Sequence, residues 1–308
     1  MSPEKIELTE NMVRSVLEII APETNTFTVY PLEGSYSNDT VVVEFEAVTE
    51  ASHRIVLRRY NPENSGYKHK ASREFKTLEL LQERGIPAPK PLYIDNDGSL
   101  MGQSGIVMAY VPGEMSLARP DTWKNKLEAY AKTLARIHSI SIDNVIAPFL
   151  MDADKEAVWF LRNDQIPTYI ADYPAGPRVW NTILEHLPQI KPEPPVLIHL
   201  DYWSGNVLWD RDSISAIVDW EEAAYGDPAI DVAYARMDLF LEGLDGDEFL
   251  RIYEAATGQA LANLGVWELA AAVRVMTDLD GWLTRPLMDE RFRHFVENAL
   301  DRANTSSS

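Results

Sequence analysis

The stretch Ile198-His199-Leu200-Asp201-Tyr202-Trp203-Ser204-Gly205-Asn206-Val207-Leu208, with Val218-Asp219-Trp220-Glu221 shortly after it, holds the side chains best suited to chemistry. Asp201 stands five residues before Asn206, and a second carboxylate, Asp219, follows a short predicted hairpin. Carboxylate and carboxamide oxygens are hard donors. In this order they suit magnesium on a nucleotide triphosphate, with one carboxylate left to face an incoming hydroxyl. Taken singly, Asp201 could cap a turn and Asp219 could end a strand at the surface; the two together, with Asn206 between them, point to phosphoryl chemistry.

Those residues need elements to present them. Strand-like runs over Asn206–Trp209 and Ser215–Val218 flank a turn at Asp210-Arg211-Asp212. They are the only obvious strands in a second half that otherwise reads as helices over Asp121–Ser139, Asp154–Arg162, Pro177–Leu187, Pro228–Leu241, Asp247–Thr257, Val266–Leu283 and Asp289–Ala303. The first hundred residues are strand-rich. A helix from Thr9 to Ile20, with Thr9 as N-cap, precedes strands at Phe27–Leu32, Thr40–Ala47 and Arg54–Tyr60. A helix over Lys68–Arg84 stops at Gly85, Pro87, Pro89 and Pro91 make an extended connector, and strands follow at Leu92–Asp95 and Ser104–Val111. The expected fold is α+β and bilobal: a small β-rich lobe over 1–111, a helical lobe over 112–303 and a disordered tail over 304–308.

Bulk properties agree with an enzyme of this kind. At 308 residues, 45% hydrophobic and 25% charged, the chain can bury a sizeable core. Zero cysteines exclude disulfides and thiolate chemistry. No apolar run is long enough for a bilayer, and Met1–Lys5 does not begin a basic-then-apolar leader, so a cytoplasmic location without a membrane partner is expected. The net charge is -20, with -5 on residues 1–111 and -15 on residues 112–308. This field repels phosphate, which excludes nucleic acid as a partner. It serves solubility, and it would also draw a cationic substrate to a cleft.

With these motifs in this order, the chain resembles the aminoglycoside phosphotransferase family, the small-molecule branch of the protein-kinase-like fold, from about residue 30 to 235. The resemblance implies Asp201 as catalytic base, Asn206 and Asp219 as Mg²⁺ ligands, and ATP, or GTP, as co-substrate. It implies that His199 braces the loop and that Asp231, in Gly226-Asp227-Pro228-Ala229-Ile230-Asp231, ties down the loop amides. Gly34-Ser35-Tyr36-Ser37-Asn38 resembles a phosphate loop, with Ser35, Ser37 and Asn38 as contacts. Arg58 takes the place of the phosphate-contacting cation with Glu74 as ion-pair partner, while Arg59, on the other face, reads as a surface arginine. Val56 and Leu208 would line an adenine slot, and Met108, Ala109 and Val111 belong to the hinge whose backbone would read the base. Leu200 departs from the family pattern, where glycine is common.

The implied reaction is γ-phosphoryl transfer to a small-molecule hydroxyl, on an aminoglycoside-like antibiotic or, alternatively, on a metabolite or macrolide as in choline and homoserine kinases. A non-catalytic nucleotide-binding pseudokinase is the remaining alternative. A protein kinase is disfavoured, because only six residues separate Asp219 from Gly226 and leave no activation segment. Acceptor contacts are sought in Trp159–Asp164, Tyr169–Trp180, Glu221-Glu222 and Asp278–Trp282, whose acids suit an amino sugar. The remaining histidines, His53, His69, His138, His186 and His294, are scattered and read as core or surface residues rather than metal ligands.

Overall fold

The computed structural model describes residues 7–24, 26–32, 38–46, 52–63, 66–163 and 165–305. The chain divides into two compact units, one of residues 1–113 with 215–222, the other of 114–214 with 223–308. The boundary expected after Val111 therefore falls after Gly113, and the segment carrying Asp219 clusters with the strand-rich unit.

That first unit is a five-stranded sheet of order β1-β2-β3-β5-β4, from β1 (Phe27–Pro31), β2 (Asp39–Glu46), β3 (Ser52–Arg59), β4 (Pro91–Asp95) and β5 (Gly105–Ala109). All its pairings are antiparallel. Helix α1 (Glu10–Ile20) starts at Thr9, whose side chain accepts from the Met12 N–H. It places Val13, Val16 and Leu17 on a core with Val43, Phe45, Ile55, Leu57 and Val107. Strand alternation then leaves Val56 and Arg58 for the opposite face. Helix α2 (Tyr67–Glu83) ends at Gly85, whose φ of 64° is left-handed; the Ile86 N–H returns to the Leu81 carbonyl and completes the stop.

Arg59 is a correction. It is 1% exposed rather than on the surface. It shares the Leu57 face, and its guanidinium is matched there by Asp39 and by the Met101 carbonyl, 3.0 Å from Nη1. A buried arginine of this kind persists only because its charge is matched by a carboxylate.

The second unit begins with β6 (Glu114–Met115) and α3 (Leu127–His138). The helix expected from Asp121 starts six residues later, after turns around Trp123, because the Trp123 indole donates to the Ser116 carbonyl and holds that stretch irregular. After β7 (Met151–Asp152) come α4 (Ala153–Glu156), α5 (Thr168–Ala171) and α6 (Gly176–His186). The helix expected over Asp154–Arg162 breaks into α4 and a separate 3₁₀ turn at Trp159–Arg162. Three short strands, β7, β8 (Val196–Ile198) and β11 (Ala224–Gly226), form a sheet of order β7-β11-β8; at two or three residues each, they are too short for alternation to reveal them. Strand β9 (Val207–Asp210) pairs with β6, Leu208 opposite Met115. The chain enters the first unit within β10 (Ser213–Ile217) and returns after Glu222.

Helices α7 (Ala229–Glu242), α8 (Gly246–Thr257), α9 (Leu264–Met276), α10 (Leu279–Trp282) and α11 (Met288–Thr305) complete this unit. The single helix expected over Val266–Leu283 is two, since Asp278 caps a new turn at Gly281. Asn304 and Thr305, expected in the tail, continue α11. Among the described residues no helix is long and apolar enough to cross a membrane.

Gly105 allows β5 to lie against β3 beside Arg58, since a Cβ there would stand 2.5 Å from the Arg58 carbonyl oxygen and 2.9 Å from Met101 Cε. Gly105→Ala should lower stability by roughly 1–3 kcal/mol, the usual cost of overpacking; a urea midpoint unchanged from wild type would contradict that constraint.

Candidate active site

In the second unit, β8 runs directly into the 199–206 loop, and α7 lies beneath it. Asp231, in the first turn of α7, has a fully buried carboxylate. Its Oδ2 accepts from the His199 N–H at 2.7 Å and its Oδ1 from the Leu200 N–H at 2.8 Å. His138, at the end of α3, has Nε2 3.2 Å from Asp231 Oδ2 and Nδ1 2.7 Å from the Tyr253 hydroxyl. A carboxylate accepts only, so Nε2 carries the proton in that contact. His199 is itself buried, and its Nδ1 accepts from the Asp201 N–H at 3.3 Å.

The loop is fastened at further points. Tyr202 and Tyr130 stack with centroids 4.6 Å apart, and each hydroxyl donates to the other's backbone carbonyl, at 3.0 and 3.1 Å. The Ser204 N–H donates to Asp238 Oδ2 at 2.9 Å. Leu200 has a φ of 66°, where a side chain is strained and glycine is not, and its carbonyl accepts from Arg274 Nη1 at 2.9 Å.

Asp201 emerges from this scaffold partly exposed. Asn206 Nδ2 donates to both the Asp201 carbonyl and Oδ2, each at 2.9 Å, while Arg274 Nη2 lies 3.0 Å from Oδ1. Because the Asn206 nitrogen faces two acceptors, its Oδ1 is turned elsewhere and is the donor a hard cation would find. Among the described residues no group of three or more His, Cys, Asp or Glu could hold a metal ion. Magnesium fits such a donor set better than zinc, since it is held by one or two protein oxygens plus substrate phosphates.

The first unit carries the other charged cluster. Arg58 Nη1 is 3.1 Å from both Glu74 carboxylate oxygens and 2.7 Å from Asp219 Oδ1. Glu74, 1% exposed, also accepts from the Tyr60 hydroxyl and from the Trp220 N–H at 3.3 Å. Asp219 has a φ of 70°, a conformation aspartate tolerates better than most residues. Glu221 is buried between the Asn38 amide and Lys70 Nζ, 2.7 Å away, and its carbonyl accepts from Arg73. Burial, then the Asp219 charge, raises the Glu221 carboxyl above its ordinary range, with Lys70 and Arg58 opposing.

Other expected residues fall as follows. Val56 and Met108 face each other in the β3–β5 ladder, both buried. The Ala109 and Tyr110 N–H groups donate to the Lys90 and Arg54 carbonyls at 2.8 and 3.2 Å, so neither donor is available to read a base. Val111 is half-buried beyond β5, and Leu208 lies in β9 of the second unit. Ser35 and Ser37 lie outside the described residues.

A sequence model of the phosphotransferase enzyme family matches residues 28–270. The chain belongs to this family. Three curated proteins are similar to parts of the chain. It is 29% identical to mouse acyl-CoA dehydrogenase family member 10 over 56% of this chain, and 26% identical to rat acyl-CoA dehydrogenase family member 11 over 69%. It spans only 17% and 28% of the length of those proteins. Against Escherichia coli hygromycin-B 4-O-kinase it is 48% identical over 42 residues, covering 14% of this chain and 12% of the kinase. Among solved structures, a Ralstonia eutropha chain assigned to the aminoglycoside phosphotransferases superposes with a TM-score of 0.68 at 14% identity, covering 98% of this chain and 99% of its own. Cryptosporidium parvum choline kinase gives 0.62 at 16%, covering 96% of each chain, and the GDP complex of aminoglycoside 2′-phosphotransferase-IIIa gives 0.62 at 17%, covering 97% and 98%. The fold of this phosphotransferase is protein-kinase-like.

Four contacts escaped the sequence reading: His138 on Asp231, the Tyr130–Tyr202 exchange, Asp238 on Ser204, and Arg274 on Asp201. Arg274 had a signal, being one of two charges in an otherwise apolar helix.

Two predictions follow from this geometry. Asp231→Asn turns an amide donor toward a backbone N–H and should cost about 1–3 kcal/mol of stability; a denaturation midpoint equal to wild type would remove Asp231 from this role. Burial pushes the Asp238 carboxyl up to about 6 from its ordinary 3.8. The folded state thus holds that proton more tightly, so Asp238 contributes stability that is complete below 3.8 and lost as pH rises through about 6. Asp238→Asn should flatten the dependence of Tm on pH across that window, and an unchanged slope would contradict it.

Proposed function

We propose that this phosphotransferase moves the γ-phosphoryl group of ATP, with GTP as the alternative donor, to a hydroxyl of a small molecule. The observation that carries the reading is the Asp201–Asn206 pair, held on a loop whose amides are fixed from beneath by Asp231.

Asp201 is the base. The acceptor oxygen forms a bond to the γ-phosphorus, the bond from that phosphorus to the β,γ-bridging oxygen breaks, and the hydroxyl proton passes to the Asp201 carboxylate as the nucleoside diphosphate leaves. Magnesium, when bound, neutralises charge on the phosphate oxygens; Asn206 Oδ1 and the Asp219 carboxylate are the donors suited to hold it. Arg58, presented by β3 and oriented by Glu74, supplies fixed positive charge to the phosphates. Asn38 anchors the end of the phosphate loop through Glu221. In the transition state this machinery needs alignment rather than covalent chemistry, so the protein's work is positioning.

Support for a nucleotide co-substrate comes from the relative solved with GDP, and support for a small acceptor from the choline kinase and the aminoglycoside phosphotransferases that share the fold.

Asp201→Asn should lower kcat by about 10²–10⁴ while ATP affinity stays within about twofold. Calorimetric titration with Mg-ATP and ADP release over a panel of aminoglycosides, macrolides, choline and homoserine read the two quantities. Equal turnover by the two proteins would remove Asp201 as base.

A further inference from the structure

Helix α7 turns one polar stripe toward the 199–206 loop. Asp231, Tyr234 and Asp238 stand at the helical spacings i, i+3 and i+7, in a segment otherwise rich in alanine and larger apolar residues. The outer two are bonded to the loop: Asp231 takes the His199 and Leu200 N–H groups, and Asp238 takes the Ser204 N–H. Tyr234, between them, is different. It is 4% exposed, and among the described residues its enclosed hydroxyl closes no hydrogen bond. The Asp201 carboxylate nevertheless stands near enough to act on it: burial, then the Asp201 charge, pushes the phenol well above its ordinary 10.0, with Arg274 opposing. A buried polar group left open in a folded protein calls for a reason, and here the group it faces is the base.

That base already carries two donors. Asn206 Nδ2 holds Oδ2 at 2.9 Å, and Arg274 Nη2 lies 3.0 Å from Oδ1. They are not equally fixed. Asn206 is 7% exposed, whereas the Arg274 side chain is 40% exposed, and ion pairs so open to water hold weakly. An acceptor hydroxyl must also reach this carboxylate, and Arg274 is the donor able to give way to it. Asp201 then keeps its Asn206 contact alone, and the Tyr234 hydroxyl is in place to restore a second. The Tyr234 ring is held by its packing: the Arg274 guanidinium carbon lies 4.7 Å from its centre, and Trp282 meets it edge-on with centroids 6.4 Å apart. Since an ionised carboxylate only accepts, the phenol donates.

We propose that Tyr234 is a positioning residue for the base: its hydroxyl donates to Asp201 when an acceptor displaces Arg274, and so keeps the carboxylate aimed at the reacting hydroxyl. This rests on the phosphotransferase reading above. The proton leaving the acceptor still passes to Asp201, and Tyr234 keeps its own.

Two measurements on the full chain test this role. One is the crystal structure of Arg274→Met, which removes every donor from that side chain while keeping much of its length. The Tyr234 hydroxyl should lie about 2.5–3.0 Å from an Asp201 carboxylate oxygen. A hydroxyl that stays open, or a carboxylate turned away from it, overturns the proposal. The other places Tyr234→Phe in the wild-type and Asp201→Asn backgrounds and follows ADP release with Mg-ATP over aminoglycosides, macrolides, choline and homoserine. Against wild type, Tyr234→Phe should lower kcat about tenfold and keep KM for acceptor and for Mg-ATP within about twofold. Its Tm should not fall, because the lost hydroxyl satisfies nothing in the resting fold. In Asp201→Asn the same change should leave kcat as it is. An unchanged kcat in the first background, or equal slowing in both, overturns the proposal and leaves the phosphotransferase reading in place. ADP release at the acceptor-free rate with every compound counts against that reading instead, and the Arg274→Met structure alone then decides whether Tyr234 holds Asp201.

Discussion

The Asp231 carboxylate, fully buried and taking the backbone N–H groups of His199 and Leu200, is the constraint on which the 199–206 loop depends. A buried carboxylate is tolerated only when its oxygens are answered by donors. Two loop amides and His138 supply them, so satisfying the charge and shaping the loop are one event. With both amides pinned, Leu200 is held at a φ that its side chain disfavours, and the chain turns so that Asp201 leaves the core while Tyr202 returns to it. The paired exchange between Tyr130 and Tyr202 then fixes the loop laterally to α3.

The strand-rich unit solves a similar problem with the opposite sign. Arg58 and Arg59 are adjacent on β3, buried on opposite faces, and are matched by separate carboxylates, Glu74 and Asp219 for the first and Asp39 for the second. Around Glu221 the cations Lys70 and Arg73 come from successive turns of α2. Charged groups in low dielectric interact strongly and reorganise little, which is the condition for electrostatic work on phosphate.

Much of this was legible in the chain because it follows local rules. Period-two alternation places Val56 and Arg58 together, helical spacing brings Glu74 within reach, and Thr9 and Gly85 mark helix ends by their own chemistry. The spacing of Asp201 and Asn206 was readable because both sit on one loop. What could not be read depends on partners distant in sequence. Arg59 looked like a surface residue because nothing near it announces Asp39 or the Met101 carbonyl. The late start of α3 is set by an indole reaching back to Ser116, and β7, β8 and β11 exist only because they pair with one another. His138 and Arg274 acquire their roles from α7 and the loop, tens of residues away.

The central claim is that Asp231 acts on turnover only through the placement of Asp201. A double-mutant cycle in kcat on Asp231→Asn and Asp201→Asn measures this most directly. The account predicts strong non-additivity, with Asp231→Asn slowing the wild-type background yet leaving the residual rate of Asp201→Asn nearly unchanged. Full additivity of the two effects would contradict it.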